Sequence, residues 1–160
     1  MALKSDRNSF NNGGRIDFFM NEVAERGGIV SFSTAGSGVA LDQAQQLATY
    51  AANPSGARPI GLLMGDMVNI DLTRQKLNPY KEEVQIGGKV TIWDKGEVVT
   101  NMIQPGVTIT AGQTAYLHAS GYVTNNNHLD HSNNVIGRFM STKDQNGYAK
   151  LSVNLPNNKL

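Results

Sequence analysis

The histidines and the aspartate of His128-Leu-Asp-His131 are the side chains whose types and spacing come nearest to a metal site. Two histidines three residues apart can share one ion on a helix, and Asp130 could add a third ligand. The motif lies within residues 125–134, which are almost all Asn, Asp, Ser and His. Because a metal site needs ligands on a rigid frame, we interpret the motif as a solvated loop tip and expect no bound metal.

The patterns for catalysis are weaker still. Ser37 lies in Gly36-Ser37-Gly38, without the strand–turn–helix frame that a serine nucleophile needs. Glu82 and Glu83 are adjacent, so on a strand they would point to opposite faces, as would Asp66 and Asp71, five residues apart. The chain has no cysteine, which excludes thiol nucleophiles, zinc–thiolate sites and disulfides. We therefore predict a protein that is not an enzyme, with no catalytic residue and no cofactor.

The elements that carry these residues are mostly strands. Residues 86–155 consist of short apolar-alternating segments separated by glycine-containing turns, a pattern that indicates a small antiparallel barrel or sandwich. Trp93 and Tyr116 lie within such segments and suit core or interface anchoring. The predicted strands in this half are Lys89–Trp93, Glu97–Ile103, Thr114–His118, Val135–Met140 and Tyr148–Leu155. Those predicted before it are Ile29–Ser33, Ile60–Met64 and Met67–Leu72.

The first 38 residues are polar and glycine-rich with one apolar patch. Ile16, Phe19, Met20 and Val23 have the i, i+3, i+4, i+7 spacing of one helix face, which predicts a short helix. This face either packs on the chain's own β-module or belongs to an arm that docks on a neighbouring subunit. We accordingly divide the chain into an N-terminal arm, residues 1–38, and a β-rich domain, residues 39–160.

Residues 39–52 allow two interpretations. Leu41, Ala44, Ala48 and Ala51 have helical spacing, and Asp42 could cap a first turn. Because most of these apolar residues are alanines, the helix face is weak. An irregular, strand-containing loop is the alternative.

Composition narrows the possible partners. Of the 160 residues, 39% are hydrophobic and 17% are charged, and the formal net charge is +1. Lys and Arg form no run, so the electrostatic signature of a nucleic-acid-binding protein is missing. No segment is long and apolar enough to span a bilayer. The charged N-terminus is unlike a signal peptide. We expect a protein made in the cytoplasm, with neither nucleic-acid nor membrane partners.

The arrangement of glycine and apolar residues resembles that of the head decoration, or cement, proteins of tailed bacteriophages. The likeness extends over residues 29–155. The segments that carry it are Pro59–Gln75, Asn78–Trp93, Lys95–Asn101, Ala111–Leu117, Val135–Ser141 and Gly147–Val153.

This resemblance implies a β-tulip-like fold, a homotrimer at local threefold positions on the outer capsid surface, and the major capsid protein as partner. The fold class expected from both arguments is mainly β: a small antiparallel β-barrel or sandwich with an extended N-terminal arm carrying a short helix. The expected location is the virion. The residues expected to contact the capsid or a neighbouring subunit are Ile16, Phe18, Phe19, Met20 and Val23.

Two other functions stay open at this stage. A carbohydrate-binding β-module on a virion or fibre would also be β-rich and free of catalytic groups. A trimeric β-rich nucleotide hydrolase would need clustered carboxylates on facing strands, for which Asp66 and Asp71 are the available pair.

Overall fold

The computed structural model describes residues 15–33, 47–66, 82–127 and 134–155, and these residues are mainly β-strand. The predicted fold class, a small β-barrel or sandwich, is confirmed. The first six strands are β1 (Arg15–Met20), β2 (Ala24–Glu25), β3 (Ile29–Phe32), β4 (Leu47–Thr49), β5 (Pro59–Asp66) and β6 (Glu83–Val84). The other six are β7 (Lys89–Trp93), β8 (Lys95–Thr100), β9 (Thr114–Leu117), β10 (Val123–Thr124), β11 (Val135–Phe139) and β12 (Ala149–Asn154).

Five strands close into a barrel in the order β1-β4-β3-β5-β7. Every pair in it is antiparallel except β1 with β4, a parallel pair that the sequence did not predict. Alternate residues fill the interior, among them Met20, Val30, Leu63 and Ile92, all fully buried. The barrel therefore has a hydrophobic core of its own.

A second sheet, which we call the C-terminal sheet, has the order β10-β9-β11-β12-β8. Its inner face packs on the outer face of the barrel, where Ile29 and Leu62 belong to the same buried cluster as Phe139 and Leu151. Strands β3 and β5 are consequently buried on both faces. This explains why their sequences are apolar at consecutive positions instead of alternating.

The predicted helix over residues 16–23 is wrong. Residues 15–20 form β1, which pairs with β7 residue by residue from Arg15 opposite Trp93 to Phe19 opposite Lys89. The apolar residues of this segment fit a period of 2 as well as the helical period, and the strand is selected because β7 offers a complete ladder of hydrogen bonds. Local spacing could not reveal a partner so distant in sequence.

The predicted boundary at residue 38 does not coincide with a break in the sheet, because β1 and β3 lie in the same barrel as β4, β5 and β7. Residues 1–14 of the predicted arm lie outside the described residues. Between residues 39 and 52, Leu47–Thr49 forms a strand, so the strand-containing alternative is confirmed for these residues. The predicted strand Met67–Leu72 lies outside the described residues.

The remaining predictions of strands are confirmed to within a few residues. Lys89–Trp93 is β7 with the predicted limits, and β9, β11 and β12 differ from prediction by one residue at an end or at both ends. Among the described residues we find no helix with the length and hydrophobicity needed to cross a membrane.

Candidate contact surface

The five residues predicted to contact a partner are separated by the barrel wall. Phe18 and Met20 are 5% and 0% exposed and point into the barrel core, so their side chains offer almost no surface to a partner. Phe19 is half-buried, and Val23 is 53% exposed. The backbone of Ile16 pairs with Ile92, and its side chain lies outside the described part of the structure. Among the four members of this set whose side chains are described, Val23 is the exposed one.

Val23 is positioned by a long antiparallel ladder. The register that pairs Arg15 with Trp93 in β1 and β7 also pairs Glu25 with Glu83 in β2 and β6. The same register continues through both ladders, since the two residue numbers of each pair have a constant sum. The ladder of β2 and β6 is a separate two-stranded sheet, which we call the ribbon, and an interruption at residues 21–23 and 85–87 divides it from the ladder of β1 and β7. Val23 lies at this interruption.

A glycine β-bulge lies at the β7 side of this interruption. The amide of Gly87 donates to the carbonyl oxygen of Met20 (2.7 Å), and the amide of Met20 donates to the carbonyl oxygen of Gly88 (2.9 Å). Two residues of one strand thus oppose one residue of the other, and Gly87 has φ +76°, as the first residue of a glycine bulge requires. The bulge fixes the turn that precedes it.

That turn, residues 85–88, carries Ile86 at its tip. The amide of Gly88 donates to the carbonyl oxygen of Gln85 (3.0 Å), which closes a four-residue turn. Ile86 occupies the second position and is 66% exposed. Hydrogen bonds on both sides hold the turn to β1, so an aliphatic side chain is presented to solvent on a rigid support.

The ribbon beside the turn has an inner and an outer face. Ala24 and Val84, directly opposite each other, are buried. Their neighbours Val23, Glu25 and Glu83 are exposed, as expected for alternation along a strand. We call the outward-facing residues Val23, Glu25, Glu83, Gln85 and Ile86 the turn surface.

The turn surface carries carboxylates as well as apolar groups. Glu83 accepts a hydrogen bond from the side-chain amide of Gln85 (3.0 Å), a neutral donor that leaves the negative charge in place. Glu25 lies directly across the ribbon from Glu83. Glu82 is instead paired with Arg26 through two hydrogen bonds, one of them 2.7 Å from Nη2 to Oε1. Burial lowers the pKa of Arg26, but an arginine stays charged at all relevant pH values.

The two adjacent glutamates differ in environment: Glu83 is exposed, whereas the side chain of Glu82 is only 12% exposed. Arg26 also donates its backbone amide to the carbonyl oxygen of Glu82 (2.9 Å). The residues that the sequence singled out for metal binding or nucleophilic chemistry, Ser37, Asp71, His128, Asp130 and His131, lie outside the described residues. Within the described ranges we find no group of three or more His, Asp or Glu that could hold a metal ion.

Tyr50 joins this end of the barrel to the C-terminal sheet. Its hydroxyl accepts a hydrogen bond from the amide of Gly28 (3.1 Å) and donates to the carbonyl oxygen of Glu25 (2.5 Å). Its ring packs on Gly121, where a Cβ atom would lie 2.4 Å from Cδ1 of the ring. Burial raises the pKa of Tyr50, and the nearby carboxylates of Glu25 and Glu22 act in the same direction.

Backbone contacts complete this joint. The amide of Ser120 donates to the carbonyl oxygen of Ala51 (2.7 Å), and Oγ1 of Thr100 donates to the carbonyl oxygen of Gly27 (2.8 Å). Ser120 has φ +56°, the left-handed conformation, which costs a non-glycine residue about 1–2 kcal/mol. The barrel and the C-terminal sheet are thus held in one fixed arrangement beneath the turn surface.

An open cleft of about 530 Å³ lies on the outer face of the C-terminal sheet. Its walls include Val99, Lys143, Asp144, Tyr148 and Lys150. Lys143 donates to the carbonyl oxygen of Val107 (2.7 Å), and Lys150 forms an ion pair with Glu97. Both ammonium groups therefore already have protein partners, which makes the cleft a weaker binding site than its size suggests.

Two other large apolar side chains are exposed. Phe32, 51% exposed at the end of β3, contacts Phe18 edge-to-face with ring centroids 5.6 Å apart. Met140, 46% exposed, follows β11 on the C-terminal sheet. Ile86 exceeds both in exposure, and sequence reasoning missed it. The signal that could have found it is Gln85-Ile-Gly-Gly88, in which a glycine at the third position of a turn places the preceding residue at the tip.

A scan against protein-family models finds no match to this chain, and a search of the curated proteins finds none either.

Proposed function

We propose that this protein is a non-enzymatic structural protein of a phage virion. It binds the outer surface of the assembled capsid, acts as a trimer at local threefold positions, and stabilises the shell. Two lines of argument support this function. One is the resemblance of residues 29–155 to the head decoration proteins, and the other is the turn surface.

The observation that carries the proposal is the exposure of Ile86 on a hydrogen-bonded turn. Fully burying an isoleucine side chain contributes about 1.5–3 kcal/mol, yet Ile86 is 66% exposed in the isolated chain. The bulge at Gly87 and Gly88, opposite Met20, already fixes the turn. Little conformational entropy is therefore lost when a partner covers the turn. Such a group suits a protein whose task is to attach.

A modest contact of this kind is sufficient for a decoration protein. Any molecule that binds the assembled shell and not the free subunits shifts the assembly equilibrium by mass action. Since a capsid offers the same site many times, each copy can contribute a small free energy. Neither a cofactor nor a reactive side chain is needed.

Co-sedimentation of the purified protein with DNA-filled, expanded capsids that lack it tests this proposal. We expect saturable binding at micromolar concentration, no binding to unassembled capsid protein, and a higher temperature of capsid disruption after binding. Capsids that sediment without the protein at this concentration would refute the proposal.

A carbohydrate-binding β-module is the second candidate, and the cleft beside Tyr148 favours it. The cleft combines a partly buried aromatic side chain with Asp144, Lys143 and Lys150, which are groups that can pack on and hydrogen-bond to a sugar. A glycan array separates the two candidates: selective binding of one glycan class, weakened by Y148A, would favour the carbohydrate-binding module.

A further inference from the structure

We propose that Asn146 is a modification site, which loses its side-chain amide by slow deamidation through the backbone nitrogen of Gly147, and that hydrogen bonds to Asp144 hold this reaction back. The site lies in the turn that joins β11 to β12, and residues of this turn form part of the wall of the cleft beside Tyr148. The site is independent of the proposed function.

The reactive pair is an asparagine followed by a glycine. The backbone nitrogen of Gly147 forms a bond to Cγ of Asn146, the Cγ–Nδ2 bond breaks, and ammonia leaves with the proton of the backbone amide. Water then opens the cyclic imide at either of its carbonyl groups, which leaves an aspartate or an isoaspartate. Glycine favours this ring closure because it has no Cβ atom to hinder a close approach of its backbone.

This pair lies at the surface. Asn146 is exposed, and a Cβ atom built on Gly147 would lie more than 4 Å from every described residue except its chain neighbours. Gly147 has φ +82°, a conformation that glycine adopts without strain. Water and hydroxide can therefore reach the pair, and the surroundings of Gly147 leave room for the imide.

Asp144 holds the turn closed. Oδ1 of its carboxylate accepts hydrogen bonds from the backbone amides of Asn146 and Tyr148, both 2.9 Å long. The carbonyl oxygen of Asp144 accepts from the amide of Gly147 (3.0 Å), and the amide of Asp144 donates to the carbonyl oxygen of Tyr148 (2.8 Å). The nitrogen that must attack thus keeps its proton in a hydrogen bond, and the main chain on both sides of Asn146 is fixed.

The reaction therefore requires a local opening of the turn. Before the nitrogen of Gly147 can attack, it must leave the carbonyl oxygen of Asp144 and lose its proton. The rate is reduced to the extent that the open turn is a minor state of the folded protein. Removal of the Asp144 side chain deletes both hydrogen bonds to Oδ1 and should raise the open fraction.

Deamidation would change the cleft. A carboxylate replaces a neutral amide at residue 146, and an isoaspartate also adds a methylene group to the main chain. The added length disrupts the hydrogen bonds that join Asp144 to Tyr148 and hold Tyr148 in the cleft wall. Ageing of the protein would therefore alter the same cleft that favours the second candidate function.

The test follows the conversion of residue 146 by peptide mapping and mass spectrometry, in the full chain at mildly alkaline pH, folded and in concentrated urea. We expect the folded chain to react at least about tenfold more slowly than the chain in urea. D144A should react at least about fivefold faster than the folded parent chain. Q145A, which changes an exposed side chain of the same turn, is the matched control and should stay within about twofold of the parent chain.

D144N separates the hydrogen bonds of Asp144 from its charge, because an amide oxygen can accept the same two bonds. We expect D144N to react within about threefold of the parent rate. A folded D144N that reacts as fast as D144A would assign the protection to the charge and overturn the role of the hydrogen bonds. Circular dichroism checks that all three variants are folded.

Other results would also overturn the proposal. If Asn146 stays intact in urea, it is not a modification site. If the folded parent chain reacts as fast as the chain in urea, the turn gives no protection, and this comparison needs no variant. If D144A is folded and reacts no faster than the parent chain, Asp144 does not hold the reaction back.

Discussion

The barrel and the C-terminal sheet solve the problem of burying apolar side chains in different ways. The barrel encloses its own core, with Met20, Val30 and Ile92 surrounded by strands of the same sheet. The C-terminal sheet has one apolar face and covers it with residues from outside, including Ile29 and Leu62 on the barrel wall. The dependence is therefore unequal: the sheet needs the barrel as its second layer, whereas the barrel interior takes mainly Met102 from the region of the C-terminal sheet.

The two regions also differ at their surfaces. The barrel end presents the turn surface, where apolar and acidic groups stand on a ribbon fixed by β1 and β7. The outer face of the C-terminal sheet presents paired charges, such as Lys150 with Glu97. The candidate contact group therefore belongs to paired strands at the end of the barrel and not to a detached arm. The C-terminal sheet packs against the barrel and supports those strands.

The largest expected effect is that of removing residues 1–28, which deletes β1 and β2 and opens the barrel. β7 then loses its pairing with β1, and the interior of the barrel is exposed to solvent. We therefore expect the cooperative unfolding transition to disappear, as monitored by circular dichroism during heating. Removal of residues 1–14 leaves every described strand in place and should keep the transition. A native-like transition in the longer deletion would show that the barrel does not support the sheet.

The joint between the two regions is tested by G121A. The new Cβ atom would lie 2.4 Å from the ring of Tyr50, and Gly121 has φ +76°, so we expect a loss of about 2–5 kcal/mol of unfolding free energy from the backbone conformation and the clash together. Gly106 has φ +78° with no atom within 4 Å of the corresponding position. G106A therefore isolates the conformational part, about 1–2 kcal/mol. Equal losses in the two variants would show that the ring contact does not hold the regions together.

The hydroxyl of Tyr50 anchors, on the barrel side, the ring that packs on Gly121, and Y50F removes this hydroxyl. The amide of Gly28 and the carbonyl of Glu25 would then lose their hydrogen-bond partner. We expect the free energy of unfolding to fall by about 1–3 kcal/mol, the cost of leaving a buried polar group unpaired. Chemical denaturation at neutral pH measures this loss. Full stability of Y50F would mean that the hydroxyl contributes nothing to the joint.

Alkaline pH provides an independent test of the same residue. Burial raises the pKa of Tyr50 in the folded protein, whereas an unfolded tyrosine ionises near pH 10. Above about pH 10 the unfolded state therefore releases a proton that the folded state keeps, so stability present below this pH falls as the pH rises. Y50F should lack this part of the decline. Identical alkaline profiles for the two proteins would contradict the expectation.

The smallest expected effect on stability is that of I86S. Ile86 is exposed at the tip of its turn, and substitutions at such positions usually change the unfolding free energy by no more than about 0.5 kcal/mol. Thermal unfolding should therefore match that of the parent chain. A loss above about 1.5 kcal/mol would mean that Ile86 packs on the barrel and belongs to its core.

Much of the C-terminal sheet could be predicted from the sequence because its strands alternate clearly and end at glycine turns. Strands β9 and β12 are examples, each with buried residues at every second position. The barrel was harder to predict because β1 pairs with β7, a strand that lies far from it in sequence. The apolar residues of β1 fit both the helical period and the extended period. The pairing with β7, and not the local sequence, therefore decides between helix and strand.

The burial of the residues predicted to make contacts could not be foreseen for the same reason. A helix over residues 16–23 would have left Phe18 on a different face from Met20, but a strand buries both. The exposure of Ile86 depends on the bulge opposite Met20, a contact between distant segments that composition and periodicity do not encode. Val23 was found because it is apolar in either interpretation and lies just beyond the end of β1.

The single register shared by residues 15–25 and 83–93 has a consequence for the rate of folding. Pairing β1 with β7 closes a long loop of the chain. The conformational entropy of that loop must be lost before the hydrogen bonds of the ladder can stabilise the fold. The hairpin of β11 and β12 joins nearer neighbours and can form sooner. We therefore expect barrel closure to be the slow step of refolding, with the turn at Ile86 among the last features to reach its final form.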